Sequence, residues 1–309
     1  MILNYAVILC TYNGSLYIKE QISSILDQKY SPSLIIISDD NSNDNTLSII
    51  CNFFDERGYE NYIIYESTFK SPALNFLSAI SKYNNHFDIL FLSDQDDVWC
   101  QDKVELQLLK HIEIDSEKPE CAIGVYSDSI VVDSSLKIIN NSFVEYQEID
   151  HRVLIDDSIL FKNCVQGATL SINKNAVAMI KESLQYINVS DIYMHDWWIA
   201  ILLSKRGHIH FLNKGLILYR QHERNVVGAI SRHQLLFKKI KIKGHIKSCI
   251  SILKQYHCYH QYIFAINNFN ARHIDLDRVG LKHNSFHYIS ALKKIVMFII
   301  MFLYPKLKK

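Results

Sequence analysis

Over about the first hundred residues, short apolar runs alternate with stretches of helical spacing. Residues 5–10, 34–38, 62–65 and 88–92 are rich in Ile, Val, Leu, Phe and Tyr and have the length of strands. Between them, residues 16–26, 46–54 and 73–83 repeat apolar positions every three to four residues, as a helix with one buried face does. Strand and helix alternating at this pitch predict an α/β fold with a parallel sheet covered by helices on both faces. Such sheets bind ligands beyond the carboxyl ends of their strands. Three polar clusters fall at those ends: Thr11-Tyr12-Asn13-Gly14, Asp39-Asp40-Asn41-Ser42-Asn43-Asp44 and Asp94-Gln95-Asp96-Asp97. All three are expected to converge on one edge of the sheet.

After Asp97 the alternation loosens. Strand-like runs at 122–127 and 165–172 indicate a mixed second half. An apolar helix over 197–203 follows His195-Asp196, and a last strand over 210–219 leads into Arg220-Gln221-His222. Beyond about residue 230 the chain turns basic and helical, with Lys238, Lys239, Lys241, Lys243 and Lys247. It ends in an apolar run at 295–304 bracketed by lysines, too short to span a bilayer as a helix. That run reads either as a core helix or as an interfacial anchor meeting anionic lipid. The pattern divides the chain into a catalytic-type domain over 1–229 and a helical C-terminal region over 230–309.

Composition narrows the picture further. With 49% hydrophobic residues in 309, the chain has ample material for a large core. The 33 basic and 32 acidic side chains nearly cancel, which argues against broad binding to nucleic acid. The 9 glycines and 4 prolines are too few for long disordered linkers. Seven cysteines, an odd number without a CxxC pair, fit free thiols in a reducing compartment. The opening MILNYAVILCTYNG has no basic leader region and reads as a strand, so a cytoplasmic protein is expected.

Crowded carboxylates repel one another unless a cation or a proton relieves them. The natural partner of Asp94, Asp96 and Asp97 is a hard divalent ion, Mg²⁺ or Mn²⁺, which takes one or two protein carboxylates and the rest from water and phosphate. The alternative is a solvated acidic turn. In the second cluster Asp44 is placed to cap the helix beginning near Thr46, while Asp39 or Asp40 can accept a hydrogen bond from a nucleobase N–H.

These residues resemble the family 2 glycosyltransferases of GT-A fold. AVILCTYNG, DDNSNDNT and SDQDD match that family's first three motifs in order and spacing. FLSDQDDVW, VYSDSIVVD, QGATLSIN, MHDWW and YRQHERNVVG resemble a bacterial branch that transfers rhamnose and related sugars in surface polysaccharide synthesis, including O-antigen and capsule. The resemblance covers roughly residues 4–230.

It implies a mostly parallel mixed sheet and an inverting transfer from a nucleotide diphosphate sugar. Thr11 and Asp40, with Asp39 a close second, are implied to contact the base and ribose. Asp94 and Asp96 form the DxD pair, Asp96 on the metal and Asp94 nearer the ribose. Asp196 is implied as the general base, His222 as a further metal or diphosphate ligand, and Gly167 and Ala168 as the acceptor side. Trp197 and Trp198 either offer an aromatic surface to a sugar or form a buried helix face; burial is favoured for at least one.

The sequence departs from the common family pattern at Asn41, usually Gly, and at His195-Asp196, usually Glu-Asp. The resemblance favours a dTDP- or UDP-sugar donor and a glycan or polyprenyl-diphosphate-linked acceptor. It also favours single-sugar addition, with peripheral contact at the inner face of the membrane. A nucleotidyltransferase or an inert nucleotide-sugar-binding protein on the same fold remains as an alternative, although CTYNGS lacks the Gly-rich, cationic loop of the former.

Overall fold

The computed structural model describes residues 3–82, 87–222 and 242–270. Its centre is a nine-stranded sheet. Strands β1 (Tyr5–Thr11), β2 (Leu34–Asp39), β3 (Tyr62–Glu66) and β4 (Ile89–Ser93) are mutually parallel in the order β3-β2-β1-β4, and they are separated by α1 (Ile18–Leu26), α2 (Thr46–Arg57) and α3 (Pro72–Lys82). The expected alternation is therefore present, because each buried strand needs a crossover helix to return in parallel.

The second half is mixed. Strands β5 (Val98–Trp99), β6 (Ile123–Val132), β7 (Ile138–Asn140), β8 (Ser171–Asn173) and β9 (His208–Arg220) continue the sheet, with β8 antiparallel to β4 and β6, and β6 parallel to β9. The helices here are α4 (Lys103–Glu117), α5 (Phe143–Tyr146), α6 (Lys174–Leu184), α7 (His195–Arg206) and α8 (Ile242–Asn270). The strand expected over 165–172 shrinks to β8, because Gly167–Thr169 form a 3-10 turn instead.

Alternate residues of β1 and β4 enter opposite cores, as strand pleating requires. Ala6, Ile8, Cys10, Leu90 and Leu92 pack with α3, α6 and α7, while Tyr5, Val7, Leu9, Ile89 and Phe91 pack with α1, α2 and α4. Helix α8 adds Ile252, Leu253, Cys258 and Tyr262 to the first of these cores. No helix among the described residues is long and apolar enough to cross a membrane. Lys238, Lys239, Lys241 and the apolar run at 295–304 lie outside the described residues.

Candidate active site

In-register pairing sets Thr11 beside Asp39 and Leu9 beside Ser93, so the loops after β1, β2 and β4 leave the sheet at one edge. The expected convergence is observed. The Thr11 hydroxyl donates to Asp39 at 2.6 Å, and the Asp40 N–H donates to the Thr11 carbonyl at 2.9 Å. Gln95 reaches across to the first loop, accepting from the Tyr12 N–H at 2.8 Å and donating to the Tyr12 carbonyl at 3.0 Å. Gly14 lies directly under the Gln95 carboxamide, and a β-carbon there would collide with it.

Two residues in these loops turn with positive φ, Asn13 at 49° and Asn41 at 60°. Asn tolerates the left-handed region better than most side chains, which explains how Asn41 stands where the family usually has Gly. Asp44 does not cap α2, whose N-cap position is Asn45; its Oδ1 accepts from the Thr46 N–H at 3.0 Å and closes a turn one residue earlier.

Asp39 departs from its expected role. Its carboxylate takes the Thr11 hydroxyl, the Ser42 N–H at 2.7 Å and the Ser42 hydroxyl at 2.6 Å, and it is fully buried. A carboxylate at the head of a polar turn is captured by the nearest donors, so Asp39 organises the loop and presents nothing to a base. Asp40 is held less completely, by the Ser71 N–H at 3.1 Å and the Ser67 hydroxyl at 3.3 Å.

The acidic loop is fastened from the far side of the sheet. β5 pairs antiparallel with β9, Val98 opposite Leu218, and that register carried on by two residues brings Arg220 to Asp96. Arg220 is 2% exposed. Its Nε donates to the Asp96 carbonyl at 2.8 Å, its N–H to Asp97 at 3.1 Å, and its guanidinium also reaches Glu20 and lies 4.3 Å from the Tyr17 ring centre. Two residues on, His222 Nε2 meets Asp96 Oδ2 at 2.8 Å and stacks on Tyr17.

Sequence reading passed over Arg220. Its signal was a cation ending an apolar strand, a position that demands partners once buried.

Charge is concentrated here. Burial raises the Asp94 pKa to about 7, with the charges of Asp96 and Asp196 acting in the same direction. Asp97 is pushed well above the carboxylate range by burial and then by Asp96 and Asp94, and its Oδ2 is buried without a hydrogen-bond partner. The Cys10 thiol at the end of β1 is driven up by burial and then by the charges of Asp94 and Asp40.

Asp196 occupies the first turn of α7. It is 7% exposed; its Oδ1 accepts from the Trp197 N–H at 2.6 Å and its Oδ2 from the Gly167 N–H at 3.1 Å. Burial lifts its pKa to about 6, and those two N–H groups hold it from rising further. Gly167 has no room for a side chain: a β-carbon would sit 2.8 Å from His195 Nε2 and 3.2 Å from Asp196 Cβ. His195 stacks on Phe76 at 3.9 Å, and burial lowers its pKa to about 3, so it stays neutral.

Two acceptor-side expectations are corrected. Trp197 is 5% exposed and its indole N–H donates to the Ile159 carbonyl at 2.5 Å, so it offers no ring face to a sugar. Trp198 is buried as well, because α7 is apolar nearly all round and sits inside the core. The Ala168 methyl packs beneath the sheet with β1 and α4.

Among the described residues, no group of three or more His, Cys, Asp or Glu side chains is arranged around a common ion position. The donors present, Asp96 with His222 beside it and Asp94 nearby, nevertheless have the chemistry of a site that a hard divalent ion shares with a diphosphate.

Comparison with known proteins agrees with this architecture. The chain is 29% identical over 247 residues to the dTDP-rhamnosyl transferase RfbG of Shigella flexneri, covering 75% of this chain and 78% of that protein. It is 26% identical over 217 residues to WfgD of Escherichia coli, a UDP-Glc:alpha-D-GlcNAc-diphosphoundecaprenol beta-1,3-glucosyltransferase, covering 69% and 74% of the two chains. Among solved structures, S. aureus TarS 1-349 superposes with a TM-score of 0.51 at 17% identity, over 71% of this chain and 60% of that one. The chain thus spans about 60% of that structure's length, and the likeness shows the fold alone. The family model described as glycosyl transferase family 2 matches residues 6–164, just over half of the chain, and the protein belongs to that family.

Proposed function

We propose that this family 2 glycosyltransferase moves one sugar, with inversion, from a nucleotide diphosphate donor to a glycan or lipid-linked acceptor hydroxyl in surface polysaccharide synthesis. The observation that supports the reading is the meeting of the loops after β1, β2 and β4 at one edge of the sheet, with His222 brought to Asp96 from the end of β9. Rhamnose from dTDP is favoured by similarity to the Shigella enzyme, with glucose from UDP next.

Inverting transfer needs the acceptor hydroxyl to lose a proton as it attacks the anomeric carbon. Asp196, with a pKa near 6 and a fixed orientation, accepts that proton at neutral pH. Thr11, Asp40 and Asp94 flank the donor's nucleoside, and Gly167, packed against Asp196 with its N–H on that carboxylate, orients the base on the acceptor side. Asp96 and His222 would hold a Mg²⁺ or Mn²⁺ ion, which would supply positive charge to the departing diphosphate. Arg220 keeps the Asp96–Asp97 backbone in place for that contact.

A panel of UDP- and dTDP-sugars, screened by thermal shift with Mn²⁺ and then by sugar release, tests this reading. One donor is expected to raise the melting temperature and to be turned over. A chain that neither binds nor turns over any nucleotide sugar refutes it.

A further inference from the structure

We infer that the cavity between α8 and the residues ahead of α7 binds the diphosphate of a lipid-linked acceptor. This rests on the transferase reading above and adds the acceptor's anionic handle to it. The cavity, of about 400 Å³, is lined by Ser190, Asp191, Tyr193, Lys247, Ser251 and Lys254, with Ile192 and Ile250 supplying its apolar wall.

The placement of this cavity carries the argument. Lys247, Ser251 and Lys254 recur at four and three residues, so α8 turns all of them to one face. The opposite face of the helix is buried in the main core through Ile252 and Leu253. Gln255, fully buried, accepts from the Tyr193 N–H at 2.9 Å and the Met194 N–H at 3.3 Å, which fixes α8 against the segment that leads into α7. Tyr193 is three residues before Asp196, so their Cα atoms are at most about 11 Å apart. The wall of the cavity is therefore continuous with the segment that carries Asp196.

The chemistry fits a diphosphate. Two ammonium groups, the Ser251 hydroxyl and a tyrosine hydroxyl are donors, against a single carboxylate, Asp191, while the Ser190 hydroxyl donates to Asn188 Oδ1 at 2.8 Å. In the present state Lys254 Nζ meets Asp191 Oδ1 at 2.8 Å, with both side chains partly open to solvent. A half-exposed pair of this kind is weak, and a doubly charged diphosphate competes with it for the lysine. Ser251 and the Tyr193 hydroxyl then satisfy the oxygens that the lysines leave.

The test uses farnesyl diphosphate, a short prenyl diphosphate, and the full chain in EDTA, so that no metal draws the probe to the donor loop. Wild type is expected to bind it about tenfold or more tightly than K247E/K254E, with K247Q/K254Q in between. Farnesol, which lacks the anion, is expected to bind all three alike. Melting temperatures of the variants within a few degrees of wild type establish that the fold is kept.

Equal affinity of wild type and both variants for farnesyl diphosphate overturns the inference. So does a loss confined to phosphatidylglycerol vesicles, which would make the lysines a membrane contact. Donor binding with Mn²⁺, measured in parallel by thermal shift, is expected to be the same in wild type and variants. Its absence in wild type refutes the transferase reading without touching the farnesyl diphosphate result.

Discussion

Replacing Asp196 by Asn separates two consequences of one buried carboxylate. The pKa of Asp196 is raised to about 6 by burial, whereas an unfolded Asp titrates near 3.9. Between those values the native state holds a proton that the unfolded state has already released. Stability therefore falls as pH rises through this window, and the full deficit is present above it. The gap corresponds to about 3 kcal/mol at neutral pH.

Asn carries no such deficit, but it has one acceptor oxygen for two donors, the Gly167 and Trp197 N–H groups. That mismatch costs about 1–3 kcal/mol at every pH. The two terms nearly cancel at neutral pH, so the informative quantity is the change with pH. Urea unfolding of wild type and Asp196→Asn in EDTA is expected to show the variant gaining about 3 kcal/mol on wild type between about pH 4 and about pH 7. Relief of Asp94, whose pKa Asp196 helps to raise, acts in the same direction.

The same variant is expected to lose transfer while still binding donor, and wild-type transfer is expected to rise with pH through about 6 as the base ionises. A stability difference that does not change with pH refutes the buried-carboxylate argument. Retained turnover removes Asp196 as the base.

Asp96→Ala is expected to cut transfer by about 100-fold or more and to leave the remainder insensitive to EDTA; an undiminished EDTA response counts against metal at this loop. Gly167→Ala forces a methyl against His195 and Asp196, and is expected to cost about 1–3 kcal/mol in urea unfolding and to lower kcat more than it raises the donor KM. Asn41→Val places a branched side chain at a φ of 60° and is expected to destabilise by about 1–2 kcal/mol, whereas Asn41→Gly stays within about 1 kcal/mol of wild type; equal stability of the two variants would contradict the backbone argument.

By itself, the sequence determined the alternation of strands and helices through β4, the edge at which the polar loops meet, and the identity of the carboxylates. These are local properties: apolar periodicity chooses the element, and a parallel strand of this length must deliver its following loop to the same edge. It also marked Asn41 as an unusual turn residue. Tertiary structure alone decided which of those side chains remain available. Asp39 and Asp40 are adjacent in sequence, yet pleating turns Asp39 into donors within its own loop and leaves Asp40 with weaker ones. Which of Trp197 and Trp198 is core was open in the sequence, and the enclosure of α7 buries both. The link between Arg220, His222 and the Asp96 loop spans more than a hundred residues and exists because β5 adds to the end of β9. Long-range pairing of that kind leaves no periodic trace in the chain, since it depends on which strand edges remain open once the core has formed.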